Sequence, residues 1–371
     1  MKIGTDQYNT FDTMTMDCWN DRVYYEGKKF PTGHFAAEIL NFAGVIHDPL
    51  LERITVLTAL VDDLSTAEKN KRHDIAAQLK PLLHDTVSWL YTCPPFCYCE
   101  SQGAYEDLEH ALSEERLDRD YEEDEAHLPH LALSFCEPIL RILVAIYNFC
   151  LLIRTFEMKY LRGSKQRNAD AFAKAAHECF DEDDSFLVLL VQMPFGGVEE
   201  FFSYPRVITG FNYFQDENNE EKWKTAQRVI CKRAIDFYVF DLMNGLHHGH
   251  APSQCQGCGR YFLTTNGHIP KYCDGIAPQD NRYTCRQYGA MMHQKEQNKQ
   301  HPVYRLFNTR TDTIRKHHQR GKISDDLRRE ALYLAESYRD KALMDNDYAA
   351  DGYARDMELE HIYAEAEKRL K

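Results

Sequence analysis

Two cysteines set two residues apart, in Cys255-Gln256-Gly257-Cys258, constrain this chain more than any other feature. A glycine-containing CxxC turn brings two thiolates within reach of one metal ion, and a second pair delivered by a short hairpin can close the coordination sphere. Cys273 and Cys285 supply that pair. Four sulfur ligands suit zinc, and a closed four-thiolate site is structural rather than catalytic. The sequence therefore predicts one structural Zn2+ on Cys255, Cys258, Cys273 and Cys285. Gly257 and Gly259 let the turn aim its amides at the sulfurs. Arg260 to Thr264 reads as a strand, Asn266-Gly267 as a turn and Tyr272-Cys273 as the returning chain. Two other ligand sets stay open: His268, or one of His247, His248 and His250, in place of one cysteine.

The other cysteines among the 12 in the chain are irregularly spaced. Reduced thiols are expected, because a disulfide framework belongs to small secreted domains. Cys93, Cys97 and Cys99 read as a packed, proline-containing loop, with a second metal held with His84 or His110 as the alternative. With 371 residues and a 43% hydrophobic fraction, the chain can build two or three domains with real cores. The opening residues carry no basic stretch followed by an apolar run, so no signal peptide and a cytoplasmic location are expected. The longest apolar run, Ile139 to Ile153, contains Arg141 and Asn148 and predicts a buried core helix, not a membrane span.

Net charge is -14 but unevenly spread. Residues 1–254 carry -17, residues 255–322 carry 12 Lys/Arg against 4 Asp/Glu, a net +8, and residues 323–371 carry -5. One basic segment on an acidic chain, beginning at the CxxC, is the electrostatic footprint of nucleic-acid binding. Docking of that segment on the chain's own acidic part is the competing reading. Arg286, Lys295, Lys299, Arg305, Arg310, Arg315, Lys316, Arg320 and Lys322 are the candidate phosphate contacts, with Tyr288, Tyr304 and Phe307 interleaved.

The element pattern predicts a mainly α fold with a few short strands. An α+β body over residues 1–250 is followed by a four-cysteine module over 251–290 and a helical extension over 291–371. A hairpin is expected around Glu26-Gly27. Helical spacing runs from Phe35 to Leu90 (Ile39, Phe42, Ile46, then Leu51, Ile54, Leu57, Leu60 and Val61), with Pro81 as a break or a start. Residues 100–128 are strongly acidic and read as a solvated helix or connector. Pro138 marks the expected start of the long apolar helix. Phe186 to Met193 reads as a buried strand or helix end. Phe201 to Phe214 suits a hairpin, with Pro205 and Gly210 as breaks, and Glu221 to Leu246 a helix. After Cys285 the chain reads as consecutive helices, broken before Pro302 and at Gly321, with Ser324 capping the next and residues 348–370 forming a last one.

The run Cys-x2-Cys-Gly-Arg-Tyr-Phe, then Tyr272-Cys273, then Cys285-Arg286 opening a basic helix, resembles the CGNR-type zinc finger. The C-terminal segment also resembles an uncharacterised bacterial family often carried on mobile elements. The resemblance covers about residues 240–322. It implies a treble-clef or knuckle-like zinc module whose last ligand opens a helix, in a bacterial protein that binds nucleic acid, DNA in particular, as a regulator. Two departures stand out: Arg286-Gln287-Tyr288 replaces the Gly-Asn-Arg after the last cysteine, and Cys273 and Cys285 are separated by eleven residues.

No Walker loop, GxGxxG, HExxH or GxSxG occurs. Glu199, Glu200, Asp181, Asp183 and Asp184 are close in sequence without a partner signature. The expected function is therefore binding, to nucleic acid or, as the alternative, to a protein partner through a structural zinc module, without a membrane role. A metal-dependent nuclease using His317 or His318 is the second alternative.

Overall fold

Apolar residues three and four positions apart draw most of this chain into helices. The computed structural model describes residues 13–42, 49–118, 130–162, 164, 166–184, 206–216, 219–265, 267 and 271–370. Two compact units form, Met1–Cys273 and Asp274–Lys371.

In the first unit, β1 (Met14–Trp19), β2 (Arg22–Tyr25) and β3 (Lys28–Pro31) precede the short helix α1 (His34–Glu38). Helices α2 (Pro49–Thr66), α3 (Lys69–Leu90), α4 (Gln102–Ala111), α5 (Glu114–Leu117), α6 (His130–Phe156) and α7 (Ala169–His177) follow. Leu50, Ile54, Leu57, Val61 and Leu64 form the buried stripe of α2. Each such side chain is worth about 1.5–3 kcal/mol when removed from water. The central helix α6 buries Ile139, Leu143, Ile146, Phe149, Ile153 and Phe156. The stretch Ala132–Leu161 is long and apolar enough to cross a membrane by length and composition, yet 61% of its most apolar window is buried inside the protein. The acidic segment forms α4 and α5, which bury Ala104, Leu108, Ala111 and Leu117. Its last residues, 119–128, lie outside the described residues.

Both prolines expected to bound helices lie inside them: Pro81 within α3 and Pro138 within α6. An interior proline removes one backbone donor and crowds the preceding turn. Buried Leu79 and Leu83 on either side of Pro81, and Phe135 and Ile139 around Pro138, offset that cost through packing.

Strands β4 (Val207–Asp216) and β5 (Asn219–Cys231) complete an antiparallel sheet of order β3-β2-β1-β5-β4. This corrects the helix expected from Glu221. Residues 219–231 are a strand, with Met14 opposite Cys231 and Met16 opposite Val229. Thr225, Val229 and Ile230 suit a pleated surface, and β1 and β4 pair β5 on both sides. Gly210, expected as a break, pairs with Arg228 inside β4. Pro205 and Phe186 to Met193 lie outside the described residues. Glu26 and Gly27 join β2 to β3 with φ of 45° and 70°, the left-handed pair that a two-residue hairpin turn requires.

Helix α8 (Ala234–His247) closes the first unit's core with Phe237, Tyr238, Leu242 and Leu246. Gly245, expected to end this helix, sits inside it. A Cβ there would lie 2.8 Å from the Gly33 Cα, so only glycine permits this approach. One turn earlier, the buried Asp241 carboxylate accepts hydrogen bonds from the backbone N–H of Gly33 (2.9 Å) and of Ala36 (3.0 Å). It caps α1, which has no capping side chain of its own.

In the second unit, β8 (Ile276–Ala277) and β9 (Asp280–Thr284) form a small hairpin, followed by α9 (Cys285–Gln300) and α10 (Pro302–Gln319). Helices α11 (Asp325–Met344), α12 (Tyr353–Asp356) and α13 (Leu359–Leu370) complete it. Its core gathers Val303, Ile314, Ala331, Leu334, Ala335, Tyr353, Met357 and Ile362. Ser324 caps α11 by accepting from the Leu327 N–H, as expected. The Arg339 guanidinium covers the Phe307 ring at 4.6 Å.

Burial raises the Asp241 carboxyl to about 6, against the opposing pull of the Ala36 and Gly33 N–H groups. An acid raised in the folded state favours folding most below its unfolded value near 3.8, and that contribution is lost as the pH climbs through 6. Asp241→Ala, which strands two buried donors, is expected to cost about 2–4 kcal/mol in urea unfolding. For Asp241→Asn, the stability deficit relative to wild type should shrink between pH 4 and pH 7 in the same measurement.

Candidate metal centre

The CxxC turn is held in place before any metal is considered. Strands β6 (Ala251–Gln254) and β7 (Tyr261–Thr264) pair antiparallel and open directly into it. The Cys255 N–H donates to the Arg260 carbonyl at 2.8 Å, and the Gly259 N–H to the Cys255 carbonyl at 2.9 Å. Gly259 has φ 75°, a left-handed conformation that glycine adopts without strain. Gln256 N–H donates to the Lys271 carbonyl at 2.9 Å, which ties the turn to the returning chain.

Asn41 and Arg167 anchor this hairpin to the rest of the first unit. The Asn41 side chain donates to the Tyr261 carbonyl (2.8 Å) and accepts from the Tyr261 N–H (2.6 Å), completing β7's outer edge as a strand would. The buried Arg167 guanidinium reaches the Pro252 carbonyl (3.4 Å) and the Thr264 hydroxyl (3.2 Å). Asn41 is 220 positions from its partner, and no local pattern carries such a contact.

The Sγ atoms of Cys255, Cys258, Cys273 and Cys285 all lie within 4.8 Å of one another. Cys258 and Cys273 are 3.6 Å apart. Cys255, Cys273 and Cys285 are buried, while Cys258 is partly exposed. The Gly257 and Cys273 N–H groups each donate to the Cys255 sulfur at 3.3 Å. Burial alone would raise the Cys255 thiol, but the N–H donors of Cys273, Cys258 and Gly257 overcome it and lower the thiol from 9.0 to about 7. The thiolate, the form that binds metal, is thereby favoured before an ion arrives. Four thiols so placed can hold a metal ion, and soft sulfur ligands select soft or borderline cations.

Cys285 is set by a reciprocal cap at the start of α9. The Gln287 N–H donates to the Thr284 hydroxyl (3.2 Å), while the Thr284 N–H donates to the Gln287 side-chain oxygen (3.0 Å). This is a capping box, Thr-x-x-Gln, whose spacing is visible in the sequence, and it gives Gln287 a role where the CGNR pattern has another residue. The Cys285 N–H donates to the Gly275 carbonyl at 2.7 Å.

The histidine alternatives resolve differently. His268 lies outside the described residues. His250 is buried, with Nδ1 3.0 Å from the Thr32 carbonyl and 3.1 Å from its hydroxyl. Among the described residues, the four cysteines are the one group of three or more His, Cys, Asp or Glu side chains gathered within ligand distance. Cys93 and Cys99 have other contacts. The Cys93 thiol donates to the Trp89 carbonyl (3.5 Å), and the Cys99 sulfur lies 3.2 Å from the Tyr25 hydroxyl.

The candidate basic residues fall into distinct settings. Along α10, Arg305, Arg315, Lys316 and Arg320 are exposed, whereas Val303, Thr311 and Ile314 face the core. Arg310 is half-buried and sits toward that core side, and its buried Nε has no hydrogen-bond partner. Arg315 pairs with Asp312 at 3.2 Å, and Arg286 with Asp274 at 3.0 Å. Lys295 and Lys322 are exposed, and Lys299 lies on α9. His317 and His318 point to structural partners: His317 Nδ1 is 2.9 Å from the Tyr363 hydroxyl, and His318 Nδ1 is 3.3 Å from the Ile323 carbonyl.

Residues 203–369 match the model of a family of unknown function, DUF6076. The matched span begins before β4 and includes all four cysteines and every candidate basic residue. No curated protein and no solved structure matches this chain.

Replacing Cys255 by Ser exchanges one buried sulfur for a hydroxyl, which still accepts from N–H groups but is a poor ligand for a soft or borderline cation. The expected result is loss of bound metal, from one ion per chain to less than about a tenth, measured by elemental analysis of the purified protein. Circular dichroism should retain the helical signal of the first unit. Thr284→Ala is expected to cost about 1 kcal/mol through loss of the cap and to weaken metal retention in a chelator competition.

Proposed function

We propose that this chain is a zinc-finger protein that binds nucleic acid, DNA before RNA, through its metal module and the basic helices that follow. The observation that carries the proposal is the four-sulfur cluster placed at the head of the chain's one basic segment. Zinc fits the donor set. With Zn–S bonds of about 2.3 Å, tetrahedral sulfurs stand roughly 3.8 Å apart, against 3.6 Å for the Cys258–Cys273 pair and 4.8 Å as the limit for all pairs. Bound there, zinc would order the module, its binding free energy being largely folding free energy.

The exposure of α9 and α10 supports the nucleic-acid reading. Residues 286, 287 and 290–296 of α9 are exposed, including Arg286, Gln287, Gln294 and Lys295. A helix so open to solvent buries little of itself, which suits an element whose partner is another molecule. Arg305, Lys316 and Arg320 share the outer side of α10 and offer cations to a phosphate backbone. Arg310 is the least suited of the candidates, because it faces inward. The likeness to CGNR-type fingers supports a bacterial, cytoplasmic regulator.

Binding of a generic 20-base-pair duplex, titrated with salt, tests this proposal. Affinity should fall steeply with salt, and each cation removed from the contact should reduce the log–log slope by about 0.9. Arg305→Ala with Lys316→Ala is therefore expected to lower affinity and flatten the slope, while metal content stays unchanged. Absence of salt-sensitive binding to duplex or single strand in the metal-loaded protein would overturn the reading.

A further inference from the structure

Glu157 and Arg162 are five residues apart, and on an α-helix, at 3.6 residues per turn, their side chains would leave on different sides. A single π-helical turn, Glu157–Leu161, extends α6 instead, and the Arg162 N–H closes it by donating to the Glu157 carbonyl at 2.8 Å. The wider turn brings the two side chains together. Arg162 donates to both Glu157 carboxylate oxygens, through Nη2 at 2.8 Å and Nε at 3.4 Å. Glu157 is buried, whereas 49% of the Arg162 side chain is exposed. The buried carboxylate fixes the direction of the guanidinium, because parting them would strand a charge away from water. The same Nη2 also donates to the Gln254 side-chain oxygen at 2.8 Å. Gln254 ends β6 immediately before Cys255, and its amide nitrogen donates to the Gly259 carbonyl at 3.1 Å. Gln254 and Gly259 flank the CxxC turn, so this one side chain closes the turn across its base. A side-chain amide supplies both the acceptor that Arg162 requires and the donor that the carbonyl requires, whereas a thioether of similar length supplies no donor.

We propose that Glu157, Arg162 and Gln254 form a positioning relay for the metal centre. They supply no ligand. They hold the CxxC turn in its closed form and so set how fast a bound ion leaves. Gly259, where the relay ends, follows Cys258, and Cys258 is the partly exposed member of the four cysteines, the one a competing chelator meets first. Outer partners that fix a ligand's orientation commonly change metal affinity by about 10–100-fold when removed. All three residues lie in the first unit with Cys255, Cys258 and Cys273. The inference rests on zinc being held by the four cysteines and is independent of the nucleic-acid reading.

Zinc loss from the loaded full chain to an excess of a chromogenic chelator tests it, with Gln254→Met, Arg162→Met and the double variant. Each single variant should release zinc about 10-fold faster than wild type. The double variant should stay within about twofold of the faster single one, since both substitutions cut one path. Arg162→Met leaves Glu157 buried without this cation and is expected to lose stability as well. Gln254→Met keeps the Glu157–Arg162 pair, so its circular dichroism and urea midpoint should match wild type while its release rate rises. A wild-type release rate in Gln254→Met overturns the inference, as do effects that multiply in the double variant. Faster release accompanied by a lowered urea midpoint in Gln254→Met would assign Gln254 to the stability of the unit and equally overturn the relay. A wild type that carries no zinc overturns the metal reading and this inference with it, whereas a loaded wild type with unaltered variants overturns this inference alone.

Discussion

The buried carboxylate of Asp241 holds the first unit together at the point that matters most for the cysteine module. It accepts the Gly33 and Ala36 N–H groups and so fastens α8 to the turn that follows β3. Gly245, one turn on, lets the two backbones meet. His250 then reaches Thr32 from the end of the same helix. These contacts fix the direction in which the chain leaves α8, enters β6 and arrives at Cys255. Packing of Phe237, Tyr238 and Leu242 in the core surrounds this polar contact with apolar side chains, so the N–H donors cannot exchange Asp241 for water.

The cysteine module depends on backbone more than on core. Among the described residues, few large apolar side chains are buried between Ala251 and Cys285, and the turn is held by hydrogen bonds at Cys255, Gly259 and Gln256, with Asn41 and Arg167 bracing the β6–β7 hairpin. Donors aimed at the Cys255 sulfur lower its thiol toward neutrality, which prepares the site for a cation. Such a small segment needs a second source of stability, and four thiols within 4.8 Å of one another offer it through a metal ion. The capping box of Thr284 and Gln287 brings Cys285 to the first position of α9 through local chemistry alone.

Distant contacts override local pattern at β5 and at two prolines, and helical phase does so at Arg310. Glu221 to Cys231 carries apolar residues at spacings that suit either period, and pairing with β1, some two hundred residues away, decided for strand. Pro81 and Pro138 carry the ordinary signal of a helix boundary, overridden by leucine, isoleucine and phenylalanine buried on either side. Arg310 stands among exposed cations in sequence but turns toward the core of its unit, because helical phase, not proximity in sequence, sets which side chains share a surface.

The sequence by itself determined the CxxC turn of Cys255 and Cys258, the hairpin at Glu26-Gly27, the cap at Ser324, the helices after Cys285 and the basic character of residues 255–322. Each is a local matter, of residue type at short spacing, and backbone geometry within a few residues is enough to express it. Only the tertiary structure decided that the four sulfurs converge, that Asn41 and Arg167 support them and that Asp241 caps a helix two hundred residues earlier. These depend on contacts between distant segments, whose partners are chosen by the burial and hydrogen bonding of the whole unit.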